Sequence, residues 1–195
     1  MNTRSILRTL MLVSALMGAS ACATEEADLE TSGDELTARR TDAQIKAALE
    51  RVIRGYNVTF RGNEGDSEFR YISATPRAGE TINATSLRRM FADVVEADPE
   101  ADKPLSALYY DDMSFAEWKR RAAGNPDDGF PADTELQAIN KVLSDNLTGI
   151  KIYYYGRNGR RGVNRTVEGI NASVFVVGKT PSGKIAGLYT VVTWT

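Results

Sequence analysis

The chain has 195 residues, of which 42% are hydrophobic and 26% charged, with a formal net charge of −2. These values are ordinary for one globular domain. It contains no histidine and a single cysteine, Cys22. A Ser-His-Asp triad, a Cys-His pair, a His-ligated zinc and a disulfide framework are therefore excluded before any motif is read.

Arg4 and Arg8 precede the apolar run "TLMLVSALMGASA", which is too short to span a bilayer and reads as a signal peptide over residues 1–21. The run ends in "GASAC". Ala19 and Ala21 fit general signal-peptidase cleavage. Cys22 fits the acceptor of a bacterial lipoprotein signal, although Ala19 stands where a larger aliphatic residue is usual. Because an isolated exported thiol has few other uses, lipidation at Cys22 is the expectation, with an exported protein held in the bacterial envelope or released from it. Residues 22–40 have no periodicity and almost no large apolar side chains, as expected of a flexible tether.

Charge is uneven beyond the signal. Residues 22–149 hold 15 basic and 25 acidic side chains, whereas from Ile150 onward there are seven basic ones and one acid, Glu168. An acidic body and a basic end can each meet a partner of opposite sign.

Thr41 begins the patterned part. "TDAQ" is a capping box, and Ile45, Ala48, Leu49, Val52 and Ile53 fall on one helical face before Gly55. "YNVTF" and "FRYIS" read as two strands around "RGNEGDSE". "INATSLRRMFADVVEA" is a helix with Leu87, Met90, Phe91, Val94 and Val95 inward, and "DPEADKP" is a loop. "SFAEWKRRAA" opens with a second capping box, Ser114 with Glu117. "TELQAINKVLSDNL" repeats Leu136, Ile139, Leu143 and Leu147 at helical spacing, and Gly149 ends it. "IKIYYY", "INASVFVV" and "IAGLYTVVT" are three further strands. Tight turns make neighbouring strands antiparallel, and the helices must cover the sheet. The expected fold is α+β: an α/β/α sandwich around a mostly antiparallel sheet, in the order helix, two strands, helices, three strands.

Three motifs compete with plainer explanations. "GKTPSGKI" contains Gly178, Gly183 and Lys184 in phosphate-loop spacing, but Ile185 replaces the magnesium-holding hydroxyl and a strand, not a helix, follows. A hairpin turn explains it better. "YYYGRNGRRGVNR" interleaves rings and cations as single-stranded nucleic acid would require. A strand of tyrosines followed by a charged, solvated hairpin loop explains it better, so direct nucleic-acid contact is not expected. Asp111 and Asp112 are adjacent, and in a strand they would face opposite ways rather than form a paired-carboxylate site. Asn57, Asn83, Asn146, Asn164 and Asn171 each begin an Asn-x-Ser/Thr triplet, read as incidental. No cofactor and no metal of the protein's own is implied.

The last residues say more. In "INASVFVVGKTPSGKIAGLYTVVTWT" an apolar strand (Val174–Val177), a Gly-x-Thr-Pro-x-Gly turn (Gly178–Gly183), an apolar-Ala-Gly group (Ile185–Gly187) and a final strand follow one another. This resembles the C-terminal signature of the nuclease A inhibitor family. "ELQAINKVLSDNLTGIKIY", "SFAEWKRRA" and "AQIKAALERVIRGYNVTFRGNEGDSEFRYI" are similar to the helix and strand, the Trp-bearing segment and the opening elements of that family. The resemblance covers most of residues 41–195, which it implies are a nuclease A inhibitor-like domain. It implies a non-enzymatic protein whose partner is a metal-dependent, sugar-non-specific nuclease. In that family the end of the chain enters the nuclease's magnesium site, and a glutamate in the loop after the first strand assists. Carried over, these roles fall on Thr195 and Glu64, with Trp194 as a rim contact. The loop bearing Glu64 is one residue longer here, which leaves Asp66 and Glu68 as alternative counterparts. "ADVVEADPEADKPLSALYYD" and "GRNGRRGVNR" stand as insertions. The alternative expectation is an envelope-anchored binding module of unknown ligand, using the Tyr/Arg hairpin from Tyr153 to Arg165.

Overall fold

The computed structural model describes residues 40–58, 67–124, 131–157 and 170–194, and for Ile170 and Trp194 the backbone alone. Thr41 opens the first helix as its spacing requires. Its hydroxyl accepts from the Gln44 N–H, and the Gln44 side chain returns to the Thr41 N–H, completing the capping box. Helix α1 (Asp42–Val52) buries Ile45, Ala48 and Leu49. Strand β1 (Arg70–Ala74) follows. Of the expected "YNVTF" strand, the described part makes a single bridge, Asn57 to Glu68. The N–H of Val58 donates to the carbonyl of Ser67 at 2.7 Å.

Helix α2 (Ala84–Glu96) starts at an Asn83 cap whose partner is Ser86, and it buries Leu87, Phe91 and Val95. A short 3-10 turn (Leu105–Ala107) leads to β2 (Tyr109–Ser114), then α3 (Phe115–Ala122) and α4 (Thr134–Asn146). Ser114 caps α3, but the Glu117 carboxylate turns to Arg120 and Arg121 instead of closing the box. Strands β3 (Thr148–Gly156), β4 (Ile170–Lys179) and β5 (Ile185–Trp194) complete the chain.

The order departs from the expected one in two places. Among the described residues, one strand lies between α1 and α2, and "YYDDMS" is a strand between α2 and α3. All pairings are antiparallel, in the sheet order β1-β5-β4-β3-β2. One face packs Met113, Ile152, Val174, Val176, Leu188 and Val192 against α1, α3 and α4. The other packs Tyr153, Tyr155, Phe175, Val177, Tyr189 and Val191 against α2 and the 3-10 turn. The domain is thus an α+β, three-layered α/β/α sandwich. Because both faces are covered, β4 and β5 read as nearly continuous apolar runs rather than as alternating ones. β2 is an edge strand. Asp111 and Asp112 are carried on opposite sides of it, and the Asp112 N–H is occupied by the Asp111 carboxylate at 2.9 Å. Charges so placed discourage a further strand from pairing there.

The sheet has two ends of different character. At one, α1 begins and the β4–β5 hairpin turns. The Thr180 N–H donates to the Lys184 carbonyl at 2.9 Å, and Gly183 takes the positive φ of 89° that the turn needs. The Ser182 hydroxyl donates to both oxygens of Asp42 at 2.7 and 2.9 Å, and Lys184 Nζ lies 3.1 Å from the same carboxylate. These hydrogen bonds hold the Asp42 carboxyl below the usual range. "GKTPSGKI" is therefore a hairpin clasped to the first helix. Arg40, the last residue of the expected tether, is tied down at this end by a 3.1 Å hydrogen bond to Asn146.

Candidate functional site

The opposite end of the sheet is where the final strand delivers its last residues. Antiparallel pairing fixes what else gathers there: the end of β5, the start of β4, the end of β3 and the starts of β2 and β1. β5 lies between β1 and β4 over residues 185–189, and beyond Tyr189 its ladder among the described residues is with β4 alone. Its residues Ile185 to Val192 are all buried, and Thr193 is the first to reach solvent, half-buried. There the Thr193 hydroxyl donates to the side-chain oxygen of Asn171 across the ladder at 2.6 Å. Backbone pairing continues to Ile170 opposite Trp194. The strand is therefore held to within a residue or two of its end.

A buried polar group supports β5 from below. The Asp98 carboxylate, 1% exposed, is ion-paired with Arg70 and accepts the Glu100 N–H at 3.1 Å. The Arg70 guanidinium lies 5.4 Å from the centre of the Tyr189 ring, and the Tyr189 hydroxyl sits 3.4 Å from Ser173 Oγ. Burial, reinforced by the Asp98 charge, pushes the Tyr189 phenol above its ordinary pKa, so the ring stays neutral. The group links α2's C-terminal turn, β1, β4 and β5. Beside it, Arg157 Nε pairs with Asp102 Oδ1 at 3.2 Å, tying the end of β3 to the loop after α2. The two segments read as insertions thus meet each other.

The expected site residues fall as follows. Thr195, Glu64, Asp66 and Cys22 lie outside the described residues, as does the side chain of Trp194. Trp194 closes β5. Glu68 is described, exposed, and bridged to Asn57. The residues flanking the Glu64 segment, Val58 and Ser67, hydrogen-bond to each other just before β1, at the end of the sheet where β5 finishes. The tyrosines of the alternative surface do not converge on solvent. Tyr153 (6% exposed) and Tyr155 (0%) pack under α2, and the Tyr155 hydroxyl donates to the Ala84 carbonyl at 2.9 Å. Burial raises both phenol pKa values. Arg160, Arg161 and Arg165 lie outside the described residues. The Asn-x-Ser/Thr asparagines that are described have structural work: Asn57 accepts from Ser67, Asn83 caps α2, Asn146 donates to Val142, and Asn171 holds Thr193.

The glycines of the C-terminal signature also have structural causes. A Cβ on Gly187 would stand 2.0 Å from the Val176 carbonyl oxygen, and one on Gly178 would stand 2.9 Å from Leu147 Cβ and from the Thr148 carbonyl oxygen. Sequence reasoning missed Arg70 and Asp98 and read Asn171 as incidental. Their partners are distant in sequence and leave no periodic signal.

Among the described residues, no group of three Cys, Asp or Glu could hold a metal ion, and no helix is long and apolar enough to cross a membrane. The fold defines the class: an α+β sandwich on a five-stranded antiparallel sheet, with β5 pinned near its end. No family model matches the chain, and no curated protein matches it either.

Proposed function

We propose that the protein is a non-enzymatic inhibitor of a metal-dependent, sugar-non-specific nuclease, exported and held in the bacterial envelope through a lipidated Cys22. In this reading the end of β5 plugs the nuclease active site. Thr195 places its carboxylate and hydroxyl at the metal, Glu64 meets a neighbouring cation, and Trp194 contacts the rim. The observation that carries the reading is the geometry of β5: a strand buried through Val192, paired with β4 to its end and pinned at Thr193, which finishes at the end of the sheet that also bears the flanks of the Glu64 segment. A hard divalent cation prefers oxygen ligands, and a phosphate-binding groove is cationic, so a carboxylate suits both. A strand already ordered in the free protein loses little conformational freedom on binding.

The test is inhibition of a purified magnesium-dependent, sugar-non-specific endonuclease by three forms: unaltered, extended by three residues after Thr195, and lacking Thr195. Inhibition by the unaltered form alone, with equal melting temperatures for all three, supports the mechanism. Equal inhibition by the extended form rejects it.

A further inference from the structure

Asn171 is out of place by local preference. It stands second in β4, in the run "INASVFVV", and asparagine is a poor strand former. A residue that breaks a local rule in this way often serves a site. Its register partner is Thr193, and the Thr193 hydroxyl donates to its side-chain oxygen at 2.6 Å. The next pair inward on the same sheet face, Ser173 and Val191, is buried. Asn171 and Thr193 are both half-buried. The boundary between packed strand and free end therefore passes through this pair.

That boundary is where order is hardest to keep. β1 pairs β5 only as far as Tyr189, so among the described residues Thr190 to Trp194 share a ladder with β4 alone. Burial holds β5 through Val192 and weakens at Thr193. A single backbone rung, Ile170 opposite Trp194, lies beyond. The last rungs of an element open most easily, because few contacts resist their opening. A side-chain hydrogen bond across the ladder at Thr193 opposes that opening. One residue separates Thr193 from Thr195, so fixing Thr193 narrows the directions in which the chain leaves the sheet.

We infer that Asn171 is a positioning residue for the plug: it touches no partner, and through Thr193 it holds the end of β5 in the binding conformation. The inference rests on the inhibitor reading and adds to it what sets the strength of inhibition. A terminus that is in its binding conformation only part of the time binds more weakly by that fraction. One cross-strand hydrogen bond shifts such an equilibrium by about fivefold to tenfold.

The experiment compares the unaltered protein, Asn171→Ala, Asn171→Thr, Thr193→Val, the double variant Asn171→Ala/Thr193→Val and the form extended after Thr195. The probe is a purified magnesium-dependent, sugar-non-specific endonuclease. Inhibition constants, melting temperatures and the backbone nitrogen-15 order of Thr193 and Trp194 in the free proteins are measured. The expected result for Asn171→Ala and for Thr193→Val is inhibition weaker by about fivefold to tenfold, with looser Thr193 and Trp194 amides and an unchanged melting temperature. Asn171→Thr, which keeps a hydroxyl partner across the ladder, should recover most of the loss. The double variant should be no weaker than either single one, since all three lose the same bond. If Asn171→Ala does not fold, Thr193→Val carries the same test from the other side of the bond. If both single variants inhibit as well as the unaltered protein while the extended form does not, the positioning role is wrong and the plug stands. If inhibition falls while the two amides stay as ordered as before, or if the two losses add in the double variant, the positioning role is also wrong. If the unaltered protein does not inhibit, the inhibitor reading fails and the positioning role fails with it.

Discussion

Trp118 allows the internal accounting of the fold to be tested. It is 1% exposed, and its indole N–H donates to the side-chain oxygen of Asn140 at 2.7 Å, in a core where Asn140 is 3% exposed. The amide nitrogen of Asn140 has no hydrogen-bond partner among the described residues. Trp118→Phe would thus leave the whole Asn140 amide unpaired in an apolar setting, at a cost of about 1–3 kcal/mol. The smaller ring forfeits a further ~1 kcal/mol of packing. The expected loss is about 3 kcal/mol, which lowers the melting temperature of a domain this size by roughly 6–12 °C. Adding Asn140→Leu removes the stranded amide. The double variant should therefore be more stable than Trp118→Phe by about 1 kcal/mol or more, although Asn140→Leu alone destabilises by orphaning the indole N–H. Urea unfolding of the four proteins reads this directly. Strict additivity, with the double variant the least stable of the four, would refute the reasoning.

Other expectations follow from the same structure. Gly187→Ala drives a methyl group into the Val176 carbonyl 2.0 Å away, so β4 and β5 must separate locally. We expect a loss of about 3 kcal/mol or failure to fold, read by thermal melting. Acid should weaken the domain in a defined window. The Asp42 carboxyl is held down by Ser182 and Lys184, and that of Glu117 is lowered to about 2 by Arg120. A carboxylate with a depressed folded pKa adds stability above its unfolded value near 4, and that stability is lost as pH falls through the folded value. Asp42→Asn should accordingly cost about 0.5 kcal/mol at pH 7 in low salt, the partner lysine being half exposed, and progressively less as acid protonates the carboxylate in the native protein. A cost that stays constant as the pH falls in melting experiments would contradict the assignment.

Local chemistry made much of the fold legible. The Thr41 capping box, the Leu136/Ile139/Leu143 stripe and the turn in "GKTPSGKI" each act through neighbours in sequence, and each is realised. Failures came where local signals were weak. "YYDDMS" is an edge strand with charges on both sides, so it lacks the alternation that marks a half-buried strand. In "YNVTF", the described residues make one bridge instead of a ladder. Leu147 continues the α4 stripe but is already extended, because the next residue enters β3 and Gly149 serves a ladder irregularity rather than the helix end. The candidate site was least legible because it is non-local. Arg70 finds Asp98 28 residues away, and Asn171 meets Thr193 only through the β4–β5 register. That Tyr153 and Tyr155 face a helix while Tyr109 does not is likewise decided by packing, since all three are strand tyrosines.

The central proposal, that the end of β5 enters a divalent-metal site, is open to one direct measurement. The protein is labelled with nitrogen-15 and bound to the endonuclease with paramagnetic manganese in place of magnesium. The account predicts that the amide signals of Thr193 and Trp194 broaden strongly, while those of Ser182 and Gly183 at the far end of the sheet do not. Broadening centred on the far end, or none at Thr193 and Trp194 in a formed complex, would contradict it.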